Sequence, residues 1–122
     1  QSETLEQAFE LAAKALMDTM LDVDKVEPLQ EEIIVAEGHD LESLLYDWLE
    51  AVILKILVDR KALSHFRVSI SRNDAYKLQA TARGEPFDVE KHGYKVEIKG
   101  VTYHMMEIER DGRVKVRFLL DL

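Results

Sequence analysis

Phe66-Arg67-Val68-Ser69-Ile70-Ser71 alternates apolar and polar residues one for one, Asn73-Asp74 interrupts it, and Tyr76, Leu78, Ala80 and Ala82 resume the alternation. A period of two sends every second side chain to the same face, as in a strand with one buried side. Asn and Asp favour turns, so the two runs predict an antiparallel hairpin. Upstream of Phe66 the period is helical, and the change of period at this point decides the fold class.

Two helices are predicted before the change. Thr4 with Gln7 makes a capping-box start, followed by Leu5, Ala8, Phe9, Ala12, Leu16, Met17 and Met20 at helical spacing. Leu21 to Leu29 carries Asp22, Asp24 and Pro28 and reads as a loop; Glu32 to Ala36 reads as a short strand ended by Gly38. Asp40 then caps a second helix running to about Val58. Leu41, Leu44, Leu45, Trp48, Leu49, Val52, Ile53, Ile56 and Leu57 form its wide apolar face, while Ser43, Asp47 and Glu50 form a polar stripe. Leu54 falls in line with that stripe, as an ordinary exposed leucine or one covered by a partner.

Past the first hairpin, Gly84, Pro86 and a single-turn signal from Asp88 to Gly93 make a longer connection. The next strand is read from Val96 to about Tyr103, continuing through Met106 and Ile108. In the last hairpin, a two-residue turn at Asp111-Gly112 would set Ile108 against Lys115 and mismatch the faces. A three-residue loop, Arg110-Asp111-Gly112, with Gly112 left-handed, instead sets Ile108 against Val114 and Met106 against Val116. Glu109 then meets Arg113 and Glu107 meets Lys115. The architecture predicted is α+β, with two amphipathic helices on one face of a largely antiparallel sheet, in a single domain over residues 1–122.

Composition narrows the function. The 122 residues are 47% hydrophobic and 33% charged, ordinary for a folded globular domain and too apolar for a disordered chain. No apolar run reaches a membrane span, and the densest, Ala51 to Val58, is broken by Lys55. No secretory signal is read at the N-terminus, and cytoplasmic residence is the expectation. Cys is absent, which removes disulfides, thiolate metal sites and thiol catalysis. Sixteen basic against 24 acidic residues give a net charge of −8. Direct strong nucleic-acid binding is not expected of so acidic a chain, because that affinity comes from Lys and Arg on phosphates. A basic protein partner or a cation suits it better.

Few residues carry chemistry on their own. There is no Gly-rich phosphate loop, paired-His helix motif or nucleophile elbow. His39, His65, His92 and His104 share no ligand spacing, and each reads as a loop or surface histidine rather than a metal ligand or base. Asp121 and Leu122 end the sequence, so a side-chain carboxylate and a terminal carboxylate would lie together. Such oxygen donors suit a hard cation if a further carboxylate converges on them; otherwise they are a frayed, solvated strand end. Lys99 lies in Lys95-Val96-Glu97-Ile98-Lys99, its charges on one strand face and Val96 and Ile98 on the other. By pattern alone it is a solvated sheet lysine.

A resemblance adds what the pattern lacks. Ala80-Thr81-Ala82-Arg83-Gly84-Glu85-Pro86-Phe87-Asp88, Lys91-His92, and Val96-Glu97-Ile98-Lys99-Gly100-Val101-Thr102-Tyr103-His104 resemble the second half of the archeases, as does the final Leu120-Asp121-Leu122. Thr4-Leu5-Glu6-Gln7-Ala8-Phe9, Val26-Glu27-Pro28 and Asp40-Leu41-Glu42-Ser43-Leu44-Leu45 resemble the first half, so the likeness runs in order along essentially the whole chain.

The resemblance implies a compact fold of two helices against a sheet, and a non-enzymatic role. Archeases assist the tRNA-splicing RNA ligase that joins exon halves with a 2′,3′-cyclic phosphate or 3′-phosphate end to a 5′-hydroxyl. The ligase works through a GMP-linked histidine; archease promotes its guanylylation and its return for further turnovers. The resemblance further implies a divalent metal ion, often calcium, held by residues matching Asp121 and Leu122, and a ligase-activating strand lysine matching Lys99. Archeases open with a strand and loop carrying His-Thr-Ala-Asp-Val, whose acidic residues complete the metal site; this sequence opens at Gln1, without that segment. A chaperone-like or general interaction module is the alternative. A hydrolase using Asp121 and His104 has no identifiable nucleophile or oxyanion donors.

Overall fold

The computed structural model of the protein describes residues 4–98, 100–111 and 113–121, and their side chains except at 102–107, 111, 113 and 121. Helix α1 spans Leu5–Met20 and α2 spans Leu41–Leu57. Thr4 Oγ1 accepts the Gln7 N–H at the start of α1. At α2 the box is reciprocal: Asp40 Oδ1 accepts the Ser43 N–H at 2.7 Å, and Ser43 Oγ accepts the Asp40 N–H at 3.1 Å. The Ser43 N–H first, then the Ser43 hydroxyl, holds the Asp40 carboxyl below its ordinary value. The segment read as a loop contains a 3-10 turn, Val23–Lys25, started by Asp22. A single helical turn, α3, Val89–His92, stands where the Asp88–Gly93 signal placed one.

Five strands form two antiparallel sheets: β1 (Gln30–Gly38), β2 (Lys61–Arg72) and β3 (Tyr76–Pro86) in the order β1-β3-β2, and β4 (Gly100–Asp111) with β5 (Arg113–Asp121). Helix α1 packs on β2 and β5, and α2 on β1 and β4, so the helices join the two sheets into one core. Trp48 lies at its centre. It is fully buried, its Nε1–H donates to the Phe9 carbonyl at 2.9 Å, and its ring meets Phe66 edge-on at 6.0 Å.

Three strand readings are corrected. Strand β2 begins at Lys61, five residues before Phe66, because the register shifts between Leu63 and His65. Ala62, Leu63 and Ser64 are consecutively buried there, which erases the alternation by which a strand is recognised. Opposite this irregularity a Cβ on Gly84 would stand 1.8 Å from the Ala62 carbonyl oxygen, so only glycine fits. Strand β4 begins at Gly100 rather than Val96, since residues 93–98 join no ladder.

In the last hairpin, Ile108 pairs with Val116 rather than Val114, Glu109 with Lys115 and Glu107 with Arg117. Pairing continues through Arg110↔Val114 to Asp111↔Arg113, so Arg110 and Asp111 belong to the ladder and not to a three-residue loop; Gly112 lies outside the described residues. The expected and observed registers differ by two residues, and a two-residue slip leaves every side chain on the same face.

Candidate functional site

Lys99 and Leu122 lie outside the described residues, as do the side chains of Asp121 and His104. The backbone around them is informative. Gly100 pairs with Asp121, Val101 with Leu120 and Thr102 with Leu119. Lys99 precedes Gly100, and Leu122 follows Asp121. All three residues singled out in the sequence are therefore in, or one residue along the chain from, a single antiparallel pair at the base of the terminal hairpin.

The segment approaching that base is fastened by backbone contacts. The Lys95 N–H donates to the Met20 carbonyl at 2.7 Å, and its ammonium to the Asp18 carbonyl at 3.0 Å. Ile98 is fully buried, while Val96 is partly exposed, so the two do not share a buried strand face. Tyr94 packs edge-on against Phe87, and partial burial, with Glu97 second, raises its hydroxyl pKa. On the other side of Lys99, Glu50 of α2 accepts the Val101 N–H through Oε1 at 2.8 Å.

Before this segment stands a polar cluster that no sequence pattern signalled. Glu85, at the end of β3, accepts the Glu27 N–H at 2.7 Å and faces His92 Nε2 at 3.1 Å, both through Oε2. The Lys91 ammonium lies 2.9 Å from the same oxygen and 3.0 Å from Oε1. His92 is 0% exposed, which corrects its reading as a loop or surface histidine. Its Nδ1 accepts the Asp88 N–H at 3.1 Å, so the ring proton sits on Nε2 and donates to Glu85. Phe87 stacks on the ring at 5.9 Å, and the His92 carbonyl accepts the Asp22 N–H. The Glu27 N–H first, then Lys91 and His92, lower the Glu85 pKa from 4.5 to about 2. The arrangement is a clamp, tying the end of β3, the turn α3 and the chain after α1 together ahead of Lys95. His39 and His65 are exposed, as read.

The polar stripe of α2 is likewise more than a solvated face. Asp47 accepts the Glu37 N–H of the edge strand β1 at 2.9 Å, as Glu50 does at Val101. From α1, Glu10 accepts the Val68 N–H of the other edge strand, β2, at 2.8 Å. Each carboxylate satisfies a strand amide that no neighbouring strand reaches. Among the described residues no group of three or more His, Asp or Glu side chains could hold a metal ion. No described helix is long and apolar enough to cross a membrane.

Against known proteins, residues 1–122 match the archease protein family. The chain belongs to the archease family. It is 42% identical to the protein archease of Methanopyrus kandleri over 123 residues, covering 99% of this chain and 88% of that one. With the protein archease of Pyrococcus furiosus the identity is 44% over 123 residues, covering 98% and 87%. The solution structure of Methanobacterium thermoautotrophicum protein 1598 superposes with a TM-score of 0.83 at 38% identity, covering 99% of this chain and 87% of that chain. The family and the α+β class expected from the sequence are thus both found.

Proposed function

We propose that this archease is a protein cofactor, not an enzyme, which activates a tRNA-splicing RNA ligase by promoting its guanylylation and multiple turnover during exon joining. Family membership supports the partner class. The observation that carries the reading to residues is the Gly100↔Asp121 pair, from which Lys99 and Leu122 are each one residue away. Scattered positions would argue for incidental charges; one strand-end pair argues for a single contact surface.

In this reading Lys99 contributes an ammonium to the contact with the ligase, on a chain of net charge −8. It meets the nucleotide or acidic groups of the ligase, while the acidic remainder of the surface complements the ligase's basic tRNA-binding face. Asp121 and Leu122 are the residues to which the resemblance assigns a divalent metal, calcium in this proposal. Oxygen donors of that kind suit a hard cation. The described side chains supply no cage by themselves, so any such ion depends on donors beyond them.

The test is single-turnover guanylylation of the cognate ligase with this protein at sub-stoichiometric ratio. A large acceleration, lost on Lys99→Ala or Asp121→Ala with unchanged circular dichroism, is expected. No acceleration by the unsubstituted protein, with suppression of aggregation of unrelated proteins instead, would replace this reading with the chaperone-like one.

A further inference from the structure

Glu50 occupies an unusual position for a residue on the polar stripe of a helix. Its Oε1 accepts the Val101 N–H at 2.8 Å, and a Cβ placed on Gly100 would stand 3.2 Å from that same oxygen. Gly100 is not in the left-handed region, since Gly93 is the one described glycine with positive φ. A side chain at 100 would therefore press on the Glu50 carboxylate, while the backbone conformation there does not itself demand glycine. A glycine and a helix carboxylate are fitted to one another at the residue that follows Lys99 and pairs with Asp121.

We infer that Glu50 is the positioning residue of this surface: its carboxylate fixes the β4 backbone at Gly100 and Val101 and thereby holds the Gly100↔Asp121 pair, the pair that Lys99 directly precedes in the sequence. This inference rests on the proposed activation of the ligase. The physical reason is local. Residues 93–98 join no sheet ladder, so no ladder among the described residues supports β4 ahead of Gly100. On the C-terminal side, four residues of β4 (103–106) face one residue of β5 (Phe118) across the register shift, leaving a short regular ladder at Gly100 to Thr102. The hydrogen bond from α2 ties that short ladder to a helix whose own position is fixed by a buried tryptophan. A displacement on the order of 1 Å at an activating side chain lowers rates about a hundredfold, so a bond worth little to the whole fold can matter greatly here.

Gln in place of Glu keeps an acceptor oxygen and loses the charge, while Ala loses both. Glu50→Ala is expected to lower ligase guanylylation about tenfold or more, a loss that persists at saturating activator, with faster exchange of the Val101 amide proton. Glu50→Gln should restore both readings to near the unsubstituted level. Gly100→Ala should reproduce the defect by displacing the carboxylate, and should add nothing once Glu50 is already Ala, because the obstructed group is gone. Equal activation by Glu50→Ala and the unsubstituted protein overturns the inference. So does a Gly100→Ala defect that is as large without the carboxylate as with it. If Glu50→Ala fails to fold, the Gly100→Ala and Glu50→Gln arms decide alone. Failure of the unsubstituted protein to accelerate the ligase is a different result, and strikes the proposed function itself.

Discussion

The three-stranded sheet and the terminal hairpin share one pattern of alternating residues but differ in how their registers are held. Strands β1 and β3 pair through nine consecutive positions without a break, and β2 pairs with β3 along its whole length with one small shift between Leu63 and His65, over a core closed by α1 and α2. Strands β4 and β5 pair in two blocks separated by a shift, and the block carrying the candidate site is anchored to α2 by one carboxylate. The lesson is a division of labour. The larger sheet and the helices supply stability, and in the proposed function the base of the hairpin, supported from outside, is the contact surface. Variants in the first region should lower stability more than activity, and variants in the second the reverse.

The largest stability effect is expected at Trp48. Trp48→Ala removes the fully buried ring and the bond to Phe9, and should cost about 3–5 kcal/mol in urea unfolding. Trp48→Phe shrinks the buried ring and loses the Nε1–H bond to the Phe9 carbonyl, which keeps its place in the α1 ladder, for a loss of about 1–3 kcal/mol; ligase activation measured well below the melting temperature should change little. A Trp48→Phe variant that stays stable but no longer activates would break the division.

Next comes the clamp. Glu85→Gln leaves the Lys91 and His92 donors with one acceptor oxygen, and should lower Tm on the order of 10 °C near neutral pH. The pH dependence has a defined sign. Glu85 titrates at about 2 in the fold against an ordinary 4.5, so its stabilisation is complete above the ordinary value and is lost as pH falls towards about 2. The Tm gap between the unsubstituted protein and Glu85→Gln should therefore close on acidification across that window. A gap that stays constant would mean that the carboxylate charge contributes nothing.

Smaller effects sharpen the picture. Asp40→Ala removes the reciprocal cap of α2 and should cost about 1 kcal/mol in urea unfolding. Arg83→Ala breaks the exposed 3.3 Å pair with Glu31 and should change stability by under about 0.5 kcal/mol. A larger loss at Arg83 would show that the outer sheet face bears more load than an exposed ion pair supplies.

How far the sequence discloses this arrangement depends on period. Both helices are legible because Thr4 and Asp40 mark their starts and a helical stripe fills each one. The β2–β3 hairpin is legible from Phe66 and obscured before it, where the shift near Ser64 buries three residues in succession. The β4–β5 register is ambiguous for a different reason. Two registers two residues apart keep the same faces and also pair acids with bases, so alternation and charge cannot choose between them. The role of Lys99 comes from the family resemblance alone, since a lysine in an alternating run has no chemical signature of its own, and Asp121 with Leu122 reads from the sequence only as a pair of oxygen donors that needs a further carboxylate. Glu85, His92 and Glu50 were not foreseen in their roles. Their partners lie at separations such as 58 and 51 residues, beyond any local pattern. The Glu85-to-His92 spacing was visible, but nothing in it required that His92 be buried.

The division between scaffold and contact surface is tested most directly by measuring guanylylation rate and Tm together for Lys99→Ala and Glu85→Gln. The account predicts that Lys99→Ala abolishes acceleration of the ligase with Tm unchanged, while Glu85→Gln lowers Tm and still accelerates at a temperature where it is folded. Acceleration retained by Lys99→Ala, at any Tm, would contradict the account.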